Sequence, residues 1–181
     1  MGSRPKTKEN RRIPSFFLSM LLAVAMVSCK EPVPTHQLCA IAPEGITATD
    51  SLHFVAPMPD AGVSYRIGFT ARTEQRLPVP FWDLEVVATS PSGKIYREQV
   101  RLPVERRRIE AYLAQCRQEG LPEEITLITT HAGNDLTWNY REGIRPDETG
   151  EWQLTLRFLT QEPITGLHCF GLTCIPEDHE Q

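Results

Sequence analysis

At 181 residues, 40% of them apolar, the chain has room for one domain with a short appendage, and it contains no internal repeat or low-complexity tract. Its 19 basic and 23 acidic side chains give a net charge of −4. An acidic balance argues against nucleic acid or an anionic lipid surface as partner, because each needs a positive face.

In chain order, Arg4, Lys6, Lys8, Arg11 and Arg12 precede an apolar run from Phe16 to Val27 that is broken only by Ser19. A spanning helix needs roughly 20 apolar residues, so this run is short for an anchor and fits the hydrophobic segment of a secretory signal peptide. The run closes on Met26-Val27-Ser28-Cys29, which resembles a bacterial lipobox. That resemblance implies cleavage after Ser28 and acylation of Cys29, with each buried acyl CH₂ adding roughly 0.8 kcal/mol to membrane anchoring. Residues 1–28 are therefore read as a lipoprotein signal peptide. Their removal takes away five basic residues and one acid, leaving 14 basic and 22 acidic side chains and a net charge of −8. A mature chain of this size can bury about two thirds of its unfolded surface, enough for a self-sufficient core.

Residues 29–45 read as the lipidated cysteine followed by an extended tether, with prolines at 32, 34 and 43 and little periodicity. Lys30-Glu31 resembles a truncated form of the Lys-then-acid signal that follows the acylated cysteine in surface lipoproteins of Bacteroidetes. The expected address is the cell envelope, in the outer membrane, with the periplasmic and surface leaflets both open.

From residue 46 to 181 apolar residues recur at period two, the mark of half-buried strands. Val63, Tyr65, Ile67 and Phe69 share one face, as do Trp82, Leu84, Val86 and Ala88. Pro91-Ser92-Gly93 supplies turn chemistry, so a run from Lys94 to Leu102 completes a hairpin. Further strands are expected at 124–130, 135–141, 151–160 and 167–175. One stretch has helical period: Ile109, Tyr112, Leu113 and Cys116 place a helix near 106–118 that stops at Gly120. Arg106, Arg107 and Arg108 oppose the macrodipole at its start. They read as a solvated helix start, with a basic patch for an acidic partner as the functional alternative. The fold class is all-β: an antiparallel sandwich, jelly-roll or immunoglobulin-like, with one inserted α-helix.

Little of this sequence demands a particular chemistry. The histidines at 36, 53, 131, 168 and 179 are scattered and do not form metal-ligand spacings. His131 and Asp135 could form an acid–base pair, yet His-Ala-Gly-Asn-Asp reads first as a polar turn between strands. Serine nucleophile motifs and phosphate-binding glycine loops are absent. No catalytic, cofactor-binding or metal-binding residue is assigned, and Cys29 is the one site residue, for lipidation.

Cys39, Cys116, Cys169 and Cys174 could form two disulfides or remain free. A 169–174 bridge is disfavoured, since five residues along a strand separate Cα atoms by roughly 16 Å against a limit of about 7 Å. Cys116 lies on the apolar stripe of the helix and reads as core or as half of a disulfide. Trp82, Trp138 and Trp152 fall in phase with apolar neighbours and read as core, with sugar-stacking platforms as the alternative.

Three segments resemble the gliding-motility-associated lipoprotein family of Bacteroidetes, the GldH-like proteins. They are Tyr65-Arg66-Ile67-Gly68-Phe69 with Phe81-Trp82-Asp83-Leu84-Glu85-Val86, then Gly150 to Phe158, then Ile164 to Leu172. Two features depart from that family: Gln161-Glu162-Pro163 stands where it carries a Met-Arg pair, and the helix is additional. The resemblance implies a membrane-anchored, non-enzymatic accessory subunit of an envelope complex for gliding motility or protein secretion. Its partners would be the membrane, through the lipid on Cys29, and other envelope proteins. The alternative is a surface lipoprotein that binds glycan or peptide, and a weaker third reading is a hydrolase using His131 and Asp135.

Overall fold

The computed structural model describes residues 32–177; the leader and Cys29 lie outside the described residues. Among the described residues nine strands and one helix follow in order: β1 (Thr35–Ala40), β2 (Leu52–Met58), β3 (Ser64–Thr73), β4 (Phe81–Thr89), β5 (Ile95–Pro103), α1 (Arg106–Glu119), β6 (Ile125–Thr130), β7 (Gly133–Ile144), β8 (Gly150–Phe158) and β9 (Leu167–Glu177). The strands make a five-stranded sheet, β1-β9-β3-β7-β6, and a four-stranded sheet, β2-β8-β4-β5, with every pair antiparallel. Only the β4–β5 and β6–β7 connections stay within a sheet; every other one crosses between the two. With β6 set aside, that order is the jelly-roll arrangement, which decides between the two sandwich types expected from the sequence.

Alternation along each strand builds the core. Tyr65, Ile67, Phe69 and Ala71 of β3 are buried, while Arg66 and Arg72, at alternate positions, are exposed. At the centre Trp82, Trp138, Phe158 and Phe170 pack together: Trp82 meets Phe158 edge-on at 5.7 Å and Trp138 at 6.0 Å. Phe170 meets Phe158 edge-on at 5.5 Å. Burying each such side chain contributes roughly 1.5–3 kcal/mol, and edge-to-face aromatic pairs add about 0.5–1.5 kcal/mol.

The helix spans Arg106–Glu119, buries Ile109, Leu113 and Cys116, and ends on Gly120 in the left-handed conformation at φ 66°. No acid occupies its first turn, and Glu105 makes no side-chain capping bond. Arg106 instead pairs with Glu110, and Arg108 pairs with Glu105 while lying 4.8 Å over the Phe81 ring. This is the solvated helix start expected from the sequence.

Two expectations need correction. Residues 35–40, read as tether, form the edge strand β1 in register with β9 from Thr35↔Cys174 to Ala40↔Cys169. The inward positions of β1 are Thr35, Gln37 and Cys39 and its one large apolar residue, Leu38, is exposed, so its polarity is inverted and no apolar alternation shows. The domain thus begins about ten residues before position 46. Strand β2 lies outside the strands expected from the sequence: Leu52, Phe54, Ala56 and Met58 alternate inward, but Val55 and Pro57 on the outward side are apolar too and blur the contrast; proline is tolerated there because β2 is an edge. The Gln37 amide joins these two edges, donating to the Val55 carbonyl at 2.5 Å and accepting from the Val55 N–H at 2.9 Å. That closes one side of the sandwich.

Candidate binding cleft

The opposite side is closed over half its length. There the chain leaves the β5 edge of one sheet and reaches the β6 edge of the other through α1, and the Trp138 indole donates to the Pro103 carbonyl at 3.1 Å. β6 stops at the pair Ile125↔Trp138, so among the described residues strand β7 beyond Tyr140 has β3 as its only strand neighbour. Neither α1 nor β6 extends over the stretch between the first half of β5 and the second half of β7.

A cleft of about 410 Å³ opens in that stretch. Its floor is apolar: Met58, Ile67, Ala88, Ile144 and Leu154. Its aromatic walls are Tyr96 from β5, Tyr140 from β7 and Trp152 from β8. Ala88 provides depth, because in the row Tyr96↔Ala88↔Leu154 it is the one side chain without bulk. Tyr96, 47% exposed, lies 5.8 Å from the Trp152 ring at an angle of 36°. Tyr140 is held from behind by Phe69, stacked at 4.6 Å.

Polar groups ring the mouth. The Glu98 carboxylate accepts from the Tyr140 hydroxyl and from Arg141, tying β5 to β7 across the opening. Lys94 lies 2.7 Å from Glu148 and 3.3 Å from Asp147, and the Tyr96 hydroxyl donates to Asp147 at 3.4 Å. Glu148 also accepts from Ser90 Oγ at 2.9 Å and from the Ser92 N–H and hydroxyl at 2.9 and 2.8 Å. The Lys94 ammonium, reinforced by these Ser92 and Ser90 bonds, holds the Glu148 carboxyl down at about 2. Lys94 is in turn pushed above its ordinary value by Glu148 and Asp147. The backbone carbonyl of Glu148 accepts from the Trp152 indole at 3.0 Å, fixing that wall.

The residues weighed from sequence fall elsewhere or into packing. His131 sits in the turn between β6 and β7, and Asp135 is on the outer sheet face, clasped by Arg72 Nε at 2.7 Å and Nη2 at 3.2 Å. Arg72 holds the Asp135 carboxyl below its ordinary range, so that carboxylate is a committed ion-pair partner. Trp82 and Trp138 are core, 1% and 2% exposed, whereas Trp152 is half-buried and faces the cleft. Cys39, Cys116, Cys169 and Cys174 are free thiols, and Cys116 is core packing. Among the described residues no group of three metal-ligating side chains occurs, and no helix is long and apolar enough to cross a membrane.

No family model, curated protein or solved structure matches the chain. The cleft stands on its own geometry. Tyr96 and Tyr140 carry no site signal in the sequence, although Tyr140 continues the phase of Leu136 and Trp138 along β7. What sequence could not give was their meeting, which needs β5, β7 and β8 brought to one opening by the jelly-roll order.

Proposed function

We propose that this chain is a lipid-anchored, non-enzymatic accessory subunit of a cell-envelope complex, serving gliding motility or protein secretion, and that it engages its partner through the β5–β7 cleft. The observation that carries the reading is the cleft itself. It is concave and mostly apolar, has three aromatic walls and carries polar groups only at its rim, the form that binding sites of this volume take. The leader ending on Cys29 supports the anchor, and the three resembling segments support the gliding or secretion context.

The test uses the full-length protein in its own membranes. A photo-crosslinking side chain at Tyr96, and separately at Thr126 on the outer face of the other sheet, is activated before detergent extraction. Adducts with envelope proteins from position 96 and not from 126, with loss of palmitate labelling in Cys29→Ser, are the expected result. Equal adducts from both positions, or labelling that survives Cys29→Ser, would count against the reading.

The second reading is glycan binding at the same cleft, favoured by the pairing of exposed Tyr96 with Trp152, on which the apolar face of a sugar could lie. An oligosaccharide array probed with the full-length protein tests it: retention abolished by Trp152→Ala would support it, and no retention would remove it.

A further inference from the structure

Resting on the cleft as a binding site, we propose that its occupant is an extended segment of a partner protein, with apolar side chains at alternate positions and an acidic residue beside them. Three observations converge on this chemistry. The first is the mouth, which runs between two strand edges. Among the described residues β5 is the last strand of its sheet, and β7 beyond Tyr140 has a neighbour on one side only. A peptide strand laid along such an edge gains backbone hydrogen bonds and sends every second side chain inward.

The second is what those inward side chains would meet. The floor under the mouth is apolar, with Ala88 leaving a recess between Tyr96 and Leu154. An aliphatic or aromatic side chain entering there leaves water as the floor does.

The third is charge. Glu98 is answered by Arg141, while Asp147 and Glu148 share Lys94. Arg145 lines the cleft and Arg97 lines the adjoining hollow that shares Ala88, Tyr96, Glu98 and Tyr140 with it. Both are exposed, and among the described residues neither has an acidic partner within ion-pair distance. Lys94, Arg97, Arg141 and Arg145 thus stand against Glu98, Asp147 and Glu148, an excess of one positive charge at the opening of a chain that is acidic as a whole. A neutral glycan would use the rings and leave both arginines unanswered; an acidic peptide uses both features. Charges at such a rim govern partner choice and encounter more than affinity.

The experiment selects a displayed random heptapeptide library on the full-length protein in detergent, in parallel with Ala88→Trp and Arg145→Glu. Wild-type winners are expected to alternate apolar residues and to carry at least one Asp or Glu. A synthetic winner should weaken roughly tenfold or more on Ala88→Trp. Because Arg145 is exposed, Arg145→Glu keeps the fold, and its winners should carry Lys or Arg instead of an acid. Methylating alternate backbone nitrogens of the winner should weaken it, as strand pairing requires. Winners without acid preference that are unchanged on Arg145→Glu would overturn the proposal. So would failure of any peptide to enrich while an oligosaccharide is retained, an outcome that leaves the cleft as a binding site. Failure of both probes removes the cleft reading together with the peptide.

Discussion

Glu148 and Trp152 are bound to one another through the backbone: the indole N–H donates to the Glu148 carbonyl at 3.0 Å, while the Glu148 carboxylate, 2.7 Å from Lys94, clasps the β4–β5 turn. One residue thus fixes both the aromatic wall of the cleft and the hairpin that carries Tyr96. Its carboxyl is held at about 2, far below an ordinary glutamate near 4.3, chiefly by Lys94. A depressed carboxylate contributes stability that is fully present above its ordinary value and lost as pH falls through its folded value. The unfolding temperature of the native chain is therefore expected to drop between about pH 4.5 and 2 more steeply than that of Glu148→Gln. Calorimetry across that range checks it; parallel curves would show that Glu148 is not the linked group. Ionic strength should matter little for the serine bonds and more for Lys94, an exposed partner.

The three tryptophans separate by environment. Trp82 and Trp138 are enclosed with Phe158 and Phe170, and only Trp152 borders solvent at the cleft. Acrylamide should quench a single fraction of the emission, and Trp152→Phe should remove that fraction with little loss of stability. Trp82→Ala, by contrast, empties the centre of the aromatic cluster and should cost about 3–5 kcal/mol in urea unfolding. Emission that stays equally quenchable in Trp152→Phe would place the exposed ring elsewhere.

The attachment of β1 rests on a glycine. At Gly171 a Cβ would lie 2.5 Å from the Gln37 carbonyl oxygen, 2.5 Å from Leu38 Cδ2 and 2.7 Å from Thr70 Oγ1. Two of those atoms belong to β1, so Gly171→Val must push the strand away or distort the sheet. Overpacking of this kind costs typically about 1–3 kcal/mol. The expected outcome is protease cutting within residues 35–40 while the remaining strands stay protected. Unchanged protection of that segment would mean that β1 tolerates the bulk and that its pairing is looser than the register implies.

How far the sequence could be read follows from which residues carry the signal. β4 and β8 are central strands whose inward positions are Trp82, Leu84 and Val86, and Leu154, Leu156 and Phe158, so period two is plain. The helix announced itself through Ile109, Leu113 and Cys116 and through Gly120. β1 carries no apolar signal because Gln37 turns inward for a hydrogen bond while Leu38 faces solvent; β2 buries Leu52, Phe54, Ala56 and Met58, but its outward Val55 and Pro57 blur the contrast, and a proline argues against a central strand. The cleft was illegible for a different reason. Glu98 and Tyr140 are 42 residues apart, and Tyr96 and Trp152 further still, so their meeting is a property of strand order. Periodicity says which way Tyr140 points along β7, and only the early end of β6 says that it is left uncovered.

The thiols give a sharp chemical test of the sandwich. Cys116 and Cys174 are buried, whereas Cys39 and Cys169 are partly exposed. Burial pushes the Cys174 thiol up to about 11, so at pH 8 almost none of it is the reactive thiolate. Iodoacetamide at that pH should modify Cys39 and Cys169 in the folded chain and reach Cys116 and Cys174 only in guanidinium. A Cys39–Cys169 bridge is opposed by register: Cys39 pairs with Phe170 and shares its core-facing side, while Cys169 pairs with Ala40 on the outer side. Peptide mapping after brief labelling reads out which positions react. Modification of Cys174 as fast as Cys169 would mean that β9 opens without global unfolding. Because β9 lies between β1 and β3, that outcome would place the weakest seam of the fold inside the five-stranded sheet, one strand in from its edge.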